Sequence, residues 1–147
     1  MPSIHVPKSA EPLLCFSRKA QEPADNACFD NNAEMVLFAA SLGYKISEGR
    51  KPKGQVESTK KLGSIDLDIF KNQGLFQNVL LIALATEKSQ EIIRDEDRIC
   101  RLIEGFADRG FSEMKEILDK ATSITFHVEL AKLLRKTAKD HLAERES

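Results

Sequence analysis

The stretch RICRLIEGFADRGFSEMKEIL, residues 98–118, decides the fold class. Ile99, Leu102, Ile103, Phe106 and Ala107 recur at intervals of three and four, and the stripe continues through Met114, Ile117, Leu118 and Ala121. That spacing places apolar side chains on one face of a 3.6-residue period. Such a face is stable only when another element covers it. Gly105 and Gly110 interrupt the run, and each costs ~1 kcal/mol relative to Ala in a helix interior. Gly110 before Phe111 is the expected break, giving helices near 96–109 and 111–121. Asp95, Glu96 and Asp97 stand just ahead of the stripe, where capping and dipole compensation account for them without catalysis.

The rest of the chain extends the same pattern. Leu75, Phe76, Val79, Leu80, Ile82, Ala83 and Leu84 predict a buried helix over 74–86, and a short polar helix or turn follows over 88–95. Met35, Val36, Phe38, Ala39, Ala40 and Leu42 predict a deeply buried helix over 31–42, capped by Asp30 or Asn31 and closed by Gly43 as the left-handed residue. Ser9 and Pro12 open a helix near 9–21. A last helix near 125–144 carries Val128, Ala131, Leu134, Ala138 and Leu142. Ile65, Leu67 and Ile69 alternate with Asp66 and Asp68, which fits a short strand, or a helical turn running into Phe70. Its partner would be Ile4–Val6 or Ser123–Phe126. The expected fold class is therefore mainly α: an irregular bundle of about six helices with at most one minimal β element, in a single domain over 1–147.

Composition narrows the function classes. The chain carries 22 basic and 23 acidic residues for a net charge of −1, which argues against a globally cationic surface. Aromatics are few (eight Phe, one Tyr, no Trp), so Leu, Ile, Val and Ala must build the core. Three cysteines, Cys15, Cys28 and Cys100, form neither a disulfide framework nor a zinc pattern and suit a reducing, cytoplasmic setting. The opening MPSIHVPKSAEPLL lacks the apolar core of a signal peptide. The longest apolar run, Val79–Ala85, is far below the ~20 residues that span a bilayer. No membrane association is expected.

Catalytic signatures are missing from the sequence. His5, His127 and His141 lie far apart with no second ligand at helical spacing. No serine or cysteine stands in a nucleophile elbow. GRKPKG, residues 49–54, lacks the spacing of a phosphate-cradling loop. The expectation is no catalytic, metal or cofactor site. A metal-dependent nuclease using Asp66, Asp68 and a lysine is the enzymatic alternative.

The strongest local feature is residues 44–64, YKISEGRKPKGQVESTKKLGS, which lack apolar periodicity and are expected to form a flexible basic loop. Lys45, Arg50, Lys51, Lys53, Lys60 and Lys61 face only Glu48 and Glu57 there. Cations in such a segment can contact phosphates without reading bases. With only Tyr44 at its edge, base stacking is unsupported. These six are the candidate nucleic-acid-binding residues.

Four stretches, PKSAEPLLCF, MVLFAASLGYK, LFQNVLLIALAT and RICRLIEGFADRGFSEMKEIL, resemble in order and spacing the small accessory family associated with the dnd genes of DNA phosphorothioation and its linked restriction. The likeness spans roughly residues 5–120 and rests on Phe38–Tyr44, Leu75–Ala85 and Glu104–Gly110, with Phe106 where a tyrosine is expected. The resemblance implies the setting of a restriction or defence system, and with no catalytic signature in the chain the expectation is a non-enzymatic accessory protein. It would bind other proteins of a DNA-modification or restriction complex, double-stranded DNA, or both. A homo-oligomeric protein–protein adaptor without nucleic-acid contact is the alternative within the binding class.

Overall fold

The computed structural model describes residues 2–16, 31–51 and 61–120, together with Val128, Glu129 and Lys132. Among these, the order is strand β1 (Ser3–Pro7), a 3-10 helix (Lys8–Phe16), α1 (Asn32–Ile46), strand β2 (Lys61–Asp66), α2 (Leu67–Asn72), α3 (Phe76–Glu87), a second 3-10 helix (Gln90–Arg94) and α4 (Glu96–Lys120). The protein is mainly helical with one small sheet. Val128, Glu129 and Lys132 are helical too, and the remainder of the expected helix near 125–144 lies outside the described residues.

The sequence stretch that sets the fold class is one rod, not two. α4 runs through Gly110 for 25 residues, about 37 Å at 1.5 Å per residue. Gly110 does not stop the helix because it serves a packing need. A Cβ there would overlap the Ala39 carbonyl oxygen and stand 2.5 Å from the Ala39 carbonyl carbon. Gly43 plays the reciprocal part. It lies inside α1, and a Cβ on it would overlap the Phe106 carbonyl oxygen and stand 3.1 Å from the Gly110 nitrogen. α1 and α4 therefore touch backbone to backbone and make the most extensive contact in the fold. Among the described residues the α-helices number four, fewer than about six, because the expected helices 96–109 and 111–121 are one and the segments expected near 9–21 and 88–95 are 3-10 helices.

α1 ends past Gly43. Its start is capped by Asn31, whose side chain accepts from the Glu34 N–H at 2.9 Å. Its end is a turn in which Glu48 N–H reaches the Lys45 carbonyl at 3.1 Å and Gly49 N–H the Tyr44 carbonyl at 3.1 Å. The first left-handed residue of that turn is Glu48 (φ 55°) and the second is Gly49 (φ 76°). The expected loop over 44–64 is correspondingly shorter. Tyr44 to Ile46 belong to α1, Lys61–Asp66 form β2, and residues 52–60 lie outside the described residues.

β2 pairs antiparallel with β1, Ile4 opposite Ile65 and Val6 opposite Gly63. Ile4 and Val6 are buried against the helical layer, and β1 packs on α4. The alternation Ile65–Leu67–Ile69 does not stay extended. The strand ends at Asp66, and Leu67 opens α2, burying itself and Phe70 three residues on. Helical spacing covers both side chains, whereas a strand would cover only one face. The first helix, expected over 9–21, is a 3-10 segment in which Pro12 removes a backbone donor; residues 17–21 lie outside the described residues.

α3 buries one face, Val79, Ile82 and Ala83, and leaves Leu81 63% exposed. It is a half-covered helix, not the buried one its composition predicts. The core itself is continuous from Ile4, Ala10 and Leu13 through Met35, Val36 and Phe70 to Ile103, Phe106, Phe111 and Met114.

Candidate nucleic-acid interface

The C-terminal end of α1 positions the site. Ser47 is buried and closes the helix, its hydroxyl donating to the Gly43 carbonyl at 2.6 Å. Arg109 of α4 reaches across and donates to the same hydroxyl. This meeting depends on the close helix contact just described. Without Gly43 and Gly110 the helices would stand further apart and Arg109 would miss Ser47.

Around this contact lies an open cleft of about 430 Å³ lined by Ile46, Ser47, Glu48, Arg50, Lys51 and Arg109. Arg50 and Lys51 come from the turn after α1, and Arg109 from the middle of α4. Three cations thus border one opening, against the single carboxylate of Glu48, which stands 3.7 Å from Arg50. Both partners of that pair are about four-fifths exposed, so solvent screens it strongly.

Lys45 is exposed in the last turn of α1, next to the cleft in sequence but not among its lining residues. Arg50 and Lys51 line the cleft. Lys61 opens β2 opposite Pro7 and belongs to the sheet. Lys53 and Lys60 lie outside the described residues. Nothing in the sequence singles out Arg109, which sits in a helical run where an arginine looks like ordinary surface charge. Only the helix crossing brings it to the end of α1.

Lys51 is also tied inward. Its Nζ lies 2.9 Å from Glu87 Oε1, within ion-pair reach although off the line of a hydrogen bond. Arg98 donates to the other oxygen of Glu87 at 2.9 Å. The Glu87 side chain is 9% exposed. One carboxylate at the end of α3 therefore holds cations from the turn after α1 and from α4.

A second polar cluster is structural. Glu104, fully buried on α4, accepts from the His5 backbone N–H and from Arg101 Nη1, both at 2.7 Å. Arg101 also donates to the Ser3 carbonyl at 3.2 Å and approaches His5 Nδ1 at 2.8 Å. A guanidinium only donates, so that ring nitrogen accepts. Further along α4, Asp108 accepts from the Ser9 hydroxyl at 2.6 Å. These contacts clip β1 and the 3-10 segment onto α4, and they explain the carboxylates of the Glu104–Gly110 stretch without chemistry.

Asp66 and Asp68 fall on different elements, the end of β2 and the first turn of α2, and both are exposed. Among the described residues no three His, Cys, Asp or Glu side chains converge as a metal site would require. Burial pushes the Cys100 thiol up to about 12, with Arg101 opposing and Glu104, Asp97 and Glu96 reinforcing the rise. A thiol held in that state is a packing group and not a nucleophile. No helix among the described residues is long and apolar enough to cross a membrane.

These features define a mainly helical fold with a two-stranded clip and a cation-bordered cleft at one helix crossing. The chain matches the family described as DNA sulphur modification system-associated protein 4 over residues 4–147 and belongs to it. No curated protein and no solved structure matches the chain. The stretches Phe38–Tyr44 and Glu104–Gly110, on which the resemblance rests, are the two sides of the α1–α4 seam, joined further by an edge-on contact of Tyr44 and Phe106 at 5.5 Å between ring centres.

Proposed function

We propose that the protein is a non-enzymatic accessory component of a DNA sulphur modification system and its linked restriction, and that it contacts the backbone of duplex DNA. The observation that carries this reading is the convergence of Arg50, Lys51 and Arg109 on one open cleft, in a chain whose family is associated with DNA sulphur modification. Lys45 beside the cleft, and Lys53, Lys60 and Lys61 further along the chain, are the accompanying cations. Such a set neutralises phosphates without reading sequence, which suits a protein that acts alongside sequence-reading or modifying partners.

The test is a gel shift with a plain duplex at low salt. Reversing Lys51 and Lys53 to Glu is expected to weaken binding and flatten its salt dependence. A wild-type protein that shifts no duplex at low salt removes DNA from the proposal.

A second reading, an adaptor that binds another protein or a second copy of itself, is favoured by Leu81, Ile93 and Ile46, all large apolar side chains more than two-fifths exposed. Light scattering behind size exclusion tests it, and a strict monomer that captures no component of the system counts against it.

A further inference from the structure

One cleft cation, Lys51, meets a carboxylate that also holds Arg98 of α4. Glu87 is the last residue of α3 and its side chain is nearly buried, yet its two oxygens are engaged by side chains from two other elements, Lys51 and Arg98. Lys51 and Arg98 are themselves half exposed, at 51% and 54%. The cations are therefore presented to solvent while their counter-charge is not. Oε1 of Glu87 makes no hydrogen bond despite its burial, so Lys51 is held there by charge and not by directed bonding. A flexible lysine held in this way is the easier of the two to release.

We infer that Glu87 is a built-in competitor for backbone phosphate: it occupies, on the cleft residue Lys51, the place that a DNA phosphate takes when the cleft is loaded, with Arg98 as its second, permanent partner. This rests on the reading of the cleft as a duplex-backbone site, and it adds a regulator to that site. In the free protein one anionic group neutralises part of the cationic border and lowers its affinity for any polyanion. On binding, Lys51 turns from Glu87 Oε1 toward the cleft that it already lines, and Arg98 keeps the carboxylate paired. The exchange of one anion for another costs little for a lysine and leaves no buried charge unpaired, because Arg98 Nη2 remains on Oε2.

The experiment measures binding of a plain 20-base-pair duplex by fluorescence anisotropy across a salt series, for wild type, Glu87→Gln, the double variant Lys51→Ala, Arg98→Ala, and that double variant carrying Glu87→Gln. Glu87→Gln is expected to bind about 1.4- to fivefold tighter, the range released by a partly exposed ion pair, with a salt slope no shallower than wild type. In the background lacking both cations the Gln substitution is expected to change nothing. Equal affinity of wild type and Glu87→Gln overturns the competitor while leaving the DNA reading intact. So does tightening that persists without Lys51 and Arg98, which would mark a general charge effect. If neither protein binds at low salt, the DNA reading and the competitor fall together. Should Glu87→Gln unfold, as judged by circular dichroism, Glu87→Asp replaces it. Retracting the carboxylate by one methylene is then expected to tighten binding by a smaller factor, and unchanged affinity overturns the proposal.

Discussion

Gly110 of α4 lies so close to Ala39 of α1 that a β-carbon would overlap the Ala39 carbonyl oxygen. With the matching approach of Gly43 to Phe106, this contact sets the helix spacing and with it the cleft.

Adding a methyl at either glycine must push the helices apart. In a free helix, Gly→Ala would gain ~1 kcal/mol. Here, overpacking against backbone that has no rotamer to yield should outweigh that gain, and Gly110→Ala and Gly43→Ala are each expected to destabilise by about 2 kcal/mol or more. Gly63→Ala, with nothing within 4 Å of its β-carbon, is the control and should stay within ~0.5 kcal/mol. Urea unfolding measures all three, and a stabilising Gly110→Ala contradicts the seam.

Glu104 holds β1 to α4 from a fully buried position. Glu104→Ala leaves Arg101 and the His5 N–H without their shared acceptor and is expected to cost about 3 kcal/mol. The denaturation midpoint should fall. A loss below half of that would show that the clip carries little of the stability.

Cys100 links stability to alkaline pH. Its folded pKa is raised from 9.0 to about 12 by burial. The folded state then keeps its proton while the unfolded state loses it. The contribution is fully present below pH 9.0 and is lost as pH climbs toward about 12. Chemical unfolding across that window should show wild type losing more stability than Cys100→Ala. Alkylation at pH 8, mapped by peptide, should leave Cys100 unmodified until denaturant is added.

Glu48 closes α1 in the left-handed region at φ 55°. A non-glycine residue there costs roughly 1–2 kcal/mol, so Glu48→Gly is expected to raise stability by up to about 1 kcal/mol after its added chain entropy. For a domain of this size that is a rise of about 2–4 °C in Tm. A fall in Tm would assign Glu48 a stabilising contact that outweighs its strain.

Arg109 should separate binding from folding. It is exposed apart from its contact with Ser47. Arg109→Ala is expected to lower the salt slope of duplex binding by about one. Arg109→Lys, which keeps the charge, should largely restore the slope. A slope that Arg109→Ala leaves unchanged removes Arg109 from the interface.

Chain-local chemistry determined a good deal. The three-and-four spacing from Ile99 to Leu118 required a helix, Asn31 marked where α1 begins, and Ile4–Val6 was one of two strands that could pair with the segment before Phe70. The family resemblance was legible in the same stretches. Each of these signals lies between residues a few positions apart, where backbone geometry alone dictates which side chains share a face.

What the sequence left open was decided between residues distant in the chain. Gly43 and Gly110 have the local character of helix ends, and only the opposing backbone makes them close-approach points inside helices. Arg109 reads as surface charge until the crossing delivers it to Ser47, and Lys51 reads as a free loop cation until Glu87 is found beside it. A glycine's absent side chain and a charge's partner are properties of what stands opposite, and periodicity along one segment carries no information about that.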